Sequence, residues 1–91
     1  MAKELILTGR VQGVFCRKYC SENAKKLNLK GSASNLSDGT VRVILDTGDE
    51  EKVKRYISSL KQNPFGFSFY GRIENVAVYD YSGSIRGDYN F

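Results

Sequence analysis

Leu5-Ile6-Leu7-Thr8-Gly9-Arg10-Val11-Gln12-Gly13-Val14-Phe15-Cys16-Arg17 is the stretch whose periodicity decides the architecture. It opens as a short run, Leu5 to Thr8, apolar on both faces and therefore read as a central strand. Gly9 to Gly13 follows as a glycine-bracketed loop. From about Cys16 to Asn28 the apolar period becomes helical. Cys16, Tyr19 or Cys20, Ala24 and Leu27 share one face, while Lys18, Glu22, Lys25 and Lys26 face outward. Asn28 and Gly31 suit the left-handed backbone common just beyond a helix.

Working outward, a second strand is expected at about Lys30 to Leu36. Asp38-Gly39 signals a hairpin with a type I′ turn. In the third strand Val41, Val43 and Leu45 alternate with Arg42, Ile44 and Asp46, giving one better-buried face. Asp49-Glu50-Glu51 supplies acids where a helix dipole favours them. Val53, Tyr56, Ile57 and Leu60 form the stripe of that second helix, and Pro64 helps to stop it. An aromatic connector, Phe65 to Tyr70, leads to a fourth strand at about Arg72 to Tyr81. After a loop from Gly83 to Gly87, Asp88 to Phe91 is expected to close as a short strand. The order βαββαβ is the split βαβ arrangement of the ferredoxin-like sandwich. This α+β fold lays two helices on one face of an antiparallel sheet of four to five strands. The fold hosts enzymes, metal carriers and RNA binders, so it names no function.

Composition narrows the chemistry. The 91 residues are 41% hydrophobic and 26% charged with one proline, which fits one globular domain, 1–91, and excludes disordered or collagen-like chains. No apolar run is long enough to span a membrane, and the N-terminus lacks a signal-peptide stretch, so a cytoplasmic protein is expected. There is no histidine. Ser-His-Asp and Cys-His catalysis and histidine-based zinc sites are therefore excluded. The formal charge is +4, divided as +5 over residues 1–45 and −1 over residues 46–91. An anion would be drawn to the first half of the chain. Cys16 and Cys20 fall on one helix face and are read as small packing residues, with a redox role as the minor alternative. Near a helix N-terminus an exposed Cys16 would have a lowered pKa.

Two segments carry candidate chemistry. Backbone N–H groups at a helix start are unpaired, and a glycine-bearing loop lets several converge on one oxygen cluster. The Gly9 to Arg17 segment thus suits a phosphate, with Arg17 adding a guanidinium in the first turn. An arginine there opposes the helix dipole, which makes sense beside a bound anion; the plain alternative is a tight turn followed by a solvated arginine. In Gly31-Ser32-Ala33-Ser34-Asn35-Leu36-Ser37-Asp38-Gly39, Asn35 is unusual for a strand. Its amide either orients a water molecule or fixes the turn.

Together these segments resemble the acylphosphatase family, whose members carry a G-R-V-Q-G-V-x-F-R loop and a later G-x-x-x-N-x-x-D-G stretch. Gly9 to Val14 and Arg17 match the first; Gly31, Asn35, Asp38 and Gly39 match the second. The resemblance implies hydrolysis of acyl phosphates to a carboxylate and inorganic phosphate. It implies Arg17 and Asn35 as the catalytic pair, one binding the phosphoryl group and the other positioning water. It also implies a phosphate-binding loop of Val11, Gln12, Gly13, Val14, Phe15 and Cys16 acting through backbone amides. No metal or cofactor is implied. The expected partners are a small-molecule acyl phosphate and phosphate or another small anion, with no membrane and no nucleic acid, and a monomer is expected.

Three features depart from the family pattern. Phe15-Cys16 moves the aromatic one place earlier, so Phe15 is expected either to turn into the core or to crowd the mouth of the site. Ser32, followed by Ala33 and Ser34, replaces an aromatic and is expected to loosen the support beneath Asn35. Phe65 to Tyr70 is rich in aromatics and is read as a hydrophobic lid. Phe65-Gly66-Phe67 with Tyr70 also partly imitates an RNA-recognition signature, which makes a nucleic-acid-binding module the alternative. An inactive anion-binding relative is the second alternative. Tyr79, Tyr81, Tyr89 and Phe91 are assigned to packing.

Overall fold

The computed structural model describes residues 2–91. Its elements are β1 (Ala2–Arg10), α1 (Cys16–Lys26), β2 (Gly31–Asn35), β3 (Val41–Leu45), α2 (Glu50–Gln62), β4 (Arg72–Tyr81) and β5 (Tyr89–Asn90). The strands form one sheet in the order β4-β1-β3-β2-β5, every pair antiparallel. This is the expected ferredoxin-like α+β sandwich with a fifth strand. No helix among the described residues is long and apolar enough to cross a membrane.

Alternation assigns the two faces of the sheet. Leu5 and Leu7 of β1 stand opposite Val43 and Val41 of β3, and Ala33 of β2 stands opposite Val43. All are fully buried against the helices. Helical spacing supplies the other half of the core: Cys16, Tyr19, Cys20 and Ala24 from α1, and Val53, Tyr56 and Leu60 from α2. A polar seam joins the helices. The Tyr19 hydroxyl donates to Leu60 O at 2.6 Å, Tyr56 to Cys20 O at 2.9 Å, and Ser59 Oγ to Asn23 Oδ1 at 2.7 Å. Each buried polar group there gains the partner that its desolvation demands.

Several local expectations change. β1 is central, but only its helix-facing side is fully buried; Ile6 is half-buried and Thr8 exposed. The hairpin after β2 forms without a type I′ turn. Leu36 O accepts from Gly39 N–H and Leu36 N–H donates to Thr40 O, and only Gly39 has positive φ, at 90°. That is a type I turn closed by a glycine bulge, which needs one left-handed residue rather than two. α1 ends at Lys26, two residues short, with Asn28 left-handed beyond it.

The largest change lies at residues 82–88. β4 sits at one edge of the sheet and β5 beside β2 at the other. The connecting strap therefore crosses the sheet face opposite the helices. Ser32 Oγ donates to Ile85 O, and Asp88 N–H donates to Ser34 Oγ at 2.9 Å. Gly87 packs onto both serine oxygens, where a Cβ would collide. Ser32 and Ser34 are thus buried anchor points for the strap, and the small side chains give it room to lie flat. The expectation that Ser32 loosens the strand is overturned. Ile44, opposite Ser32 on the same face, is buried as well, so β3 is covered on both sides at that position.

Candidate active site

Residues 11–15 join β1 to α1 and bring the backbone left-handed twice, at Gly13 (φ 73°) and at Phe15 (φ 63°), the N-cap of α1. Two other segments hold this loop from outside. Gln12 Nε2 donates to Leu36 O at 2.7 Å and Thr40 O at 2.8 Å, tying the loop to the β2–β3 hairpin. Val14 O accepts from Tyr70 N–H at 3.3 Å. The side chains of Val11 and Val14 are buried. The first backbone donor of α1 is Tyr19 N–H, which bonds Phe15 O at 2.9 Å. No side chain caps the helix start and no acidic residue stands in its first turn. Among the described residues, the N–H groups from 13 to 18 donate to no other group of the chain. They remain available to an anion.

A cavity of about 410 Å³ lies at this helix start, lined by Val11, Gly13, Phe15, Cys16, Arg17, Lys18, Asn35 and Tyr89. Arg17 and Asn35, separated by an entire helix and strand in sequence, share it. The Asn35 side-chain amide makes no hydrogen bond within the chain among the described residues; only its N–H is engaged, to Asp88 Oδ2 at 3.2 Å. The turn that follows is held by Leu36, Asp38, Gly39 and Thr40 instead. Asn35 therefore does not serve the turn. The same Asp88 Oδ2 lies 3.6 Å from Arg17 Nη1.

Of the expected loop residues, Val11, Gly13, Phe15 and Cys16 line the cavity; Gln12 and Val14 do not. Their side chains hold the loop's shape, and any contribution of theirs to an anion is through the backbone. Phe15 stands at the mouth, 63% exposed, with its ring 5.7 Å from that of Tyr70. It does not turn into the core. Cys16 takes the inward position instead, at 2% exposure. Its burial removes the exposure on which a reactive Cys16 depended. Cys20 Sγ lies 3.9 Å from Cys16 Sγ, and that contact together with full burial pushes the Cys20 thiol well above its usual pKa.

Sequence reading misses Lys18, Asp88 and Tyr89. Tyr89, assigned to packing, lines the cavity. Tyr79 is likewise no packing residue, being 54% exposed on the edge strand. Lys18 follows Arg17 in the first helical turn, and that position is the one signal available for it. Asp88 and Tyr89 arrive by the strap, which no local pattern announces.

The aromatic connector divides between core and surface. Phe69 stacks on Tyr19 with centroids 4.4 Å apart, and Phe67 packs on the core, whereas Phe65 and Tyr70 are exposed. None of the four lies on the sheet, and β3 carries no aromatic. The RNA-recognition alternative needs stacked aromatics on the open sheet face. Here the central strands β1 and β3 offer no aromatic to that face, and Ser32 and Ser34 anchor the strap across it.

The family model Acylphosphatase matches residues 3–90. The chain belongs to the acylphosphatase family. An acylphosphatase of Corynebacterium glutamicum is 40% identical over 68 residues, covering 75% of this chain and 71% of the relative. One of Thermus thermophilus is 41% identical over 73 residues, covering 80% and 77%. The solved acylphosphatase of Bacillus subtilis superposes with a TM-score of 0.73 at 26% identity, covering 94% of this chain and 93% of that one.

Proposed function

We propose that this acylphosphatase domain, residues 1–91, hydrolyses acyl phosphates by gripping the phosphoryl group between the 11–16 loop amides and Arg17 while Asn35 positions the attacking water. Acyl phosphate hydrolysis is the activity of the family to which the chain belongs, and its substrate is a small molecule. The observation that carries the residue roles is that Arg17, Asn35 and the uncapped start of α1 face one cavity.

The chemistry asks for little more. The water oxygen bonds to phosphorus as the phosphorus–oxygen bond to the acyl group breaks. The electron pair leaves on a carboxylate, a good leaving group that needs no strong acid. The water's proton passes to a phosphate oxygen, since Asn35 is no base and histidine is absent. What remains is positioning and neutralisation of charge on the transferring group, which together account for most of the catalysis in phosphoryl transfer. Loop N–H groups, the α1 dipole and the Arg17 guanidinium supply them. The steps call on no metal or cofactor.

A monomer is the proposed working unit. Two buried free thiols suit a reducing, cytoplasmic setting. The test is hydrolysis of benzoyl phosphate with a chelator present, comparing wild type with Arg17→Ala. Chelator-resistant turnover is expected to fall by about a hundred- to a thousandfold in the variant. A folded wild type that binds phosphate without turnover would make the chain an inactive anion-binding relative.

A further inference from the structure

Building on the phosphate site just described, we propose that Asp88 is an internal competitor for Arg17 that weakens the hold of the site on the phosphate product. A site that grips the phosphoryl group of a substrate grips inorganic phosphate with the same N–H groups and the same guanidinium. Every turnover then requires that grip to be released.

Asp88 stands where it bears on this step. One carboxylate oxygen accepts from Asn35 N–H at 3.2 Å and faces Arg17 Nη1 at 3.6 Å. Both partners belong to the proposed site. The carboxylate and a phosphate dianion present like-charged oxygens to one guanidinium. Asp88 is held there by backbone contacts: its own N–H donates to Ser34 Oγ at 2.9 Å, and β5 pairs Tyr89 and Asn90 with Ala33 and Ser32. Phosphate comes and goes, whereas this negative charge stays.

The balance of strengths gives the direction. The Arg17 and Asp88 side chains are 41% and 51% exposed, and ion pairs so accessible to water are weak. Asp88 therefore does not keep out a substrate held by several loop amides. It repels a bound dianion and supplies Arg17 with a replacement partner as the product leaves. The repulsion acts through solvent and is screened by salt.

The experiment is calorimetric titration of wild type, Asp88→Asn and Asp88→Glu with inorganic phosphate, alongside benzoyl phosphate turnover. Asp88→Asn is expected to bind phosphate roughly three- to tenfold more tightly at low ionic strength and to show product inhibition tightened by the same factor. The gap is expected to close near about 1 M salt. Asp88→Glu, which keeps the charge, is expected to bind nearly as wild type does. Asp88→Ser serves as a second charge-removing variant should the asparagine form fold poorly. Equal or weaker phosphate binding in folded Asp88→Asn overturns the proposal and leaves Asp88 as a strap anchor or an orienter of Arg17. A wild type that neither binds phosphate nor turns over substrate sinks the site reading itself, a result distinct from active wild type with an unaltered variant.

Discussion

The two helices of this chain begin in opposite ways. At α2, Asp49 Oδ1 accepts from Glu51 N–H at 3.0 Å and Lys52 N–H at 3.4 Å, and Glu50 and Glu51 follow in the first turn. Backbone donors and dipole are both satisfied by the chain itself. At α1 the N-cap is Phe15, a left-handed aromatic with no side-chain acceptor to offer, followed by Arg17 and Lys18. Placing cations and an unsuited cap at a helix start costs stability. That cost is understandable if the free N–H groups are kept for a ligand. The contrast is internal to one molecule, so solvent and overall composition are held constant.

The strongest way to break the contrast is to make α1 resemble α2. Phe15→Asp puts a carboxylate at the open helix start. Phosphate binding and benzoyl phosphate hydrolysis are expected to fall about a hundredfold, while the melting temperature holds or rises. Undiminished turnover in that variant would show that the α1 start does not hold the phosphoryl group.

The reverse change makes α2 resemble α1. Asp49→Ala is expected to cost about 1 kcal/mol in urea unfolding, with hydrolysis per folded molecule unaltered. A loss of activity without a loss of stability would mean the two helix starts are coupled.

The smallest effect concerns a third carboxylate with a purely local task. Asp38 Oδ1 accepts from Thr40 Oγ1 at 2.6 Å and from Thr40 N–H at 3.0 Å, which holds its carboxyl below the ordinary value. A carboxyl lowered in the folded state stabilises above its unfolded pKa, and that contribution is lost as pH falls through the lowered value. Unfolding measured at neutral and acid pH is expected to show a slightly shallower acid loss in Thr40→Val. An identical pH profile in the variant would remove the assignment.

What is legible in the sequence follows from how local each cause is. The β1-loop-α1 unit is readable because glycines, apolar period and Arg17 all act within a dozen residues. Asn35 is readable as an oddity in a strand, though its freedom from the turn is not. The turn after it deceives because Asp38-Gly39 serves a bulged type I turn as well as a type I′ turn. Alternation points Ile44 outward, yet it lies on the face that the strap crosses. Asp88 and Tyr89 are invisible as site residues because only the completed sheet brings β5 beside β2.

The strap has a consequence for the order in which the molecule comes into being. Arg17 and Asp88 lie roughly seventy residues apart, and closing so long a loop is an entropic expense that local helix and hairpin formation does not meet. On a ribosome the loop, both helices and four strands emerge before Asp88 does. On the proposed reading of the site, a chain whose last strand has yet to dock would present the loop amides without the charge of Asp88, and phosphate binding there would favour the compact form by mass action. The last strand to dock would then convert a nascent phosphate trap into an enzyme that lets go.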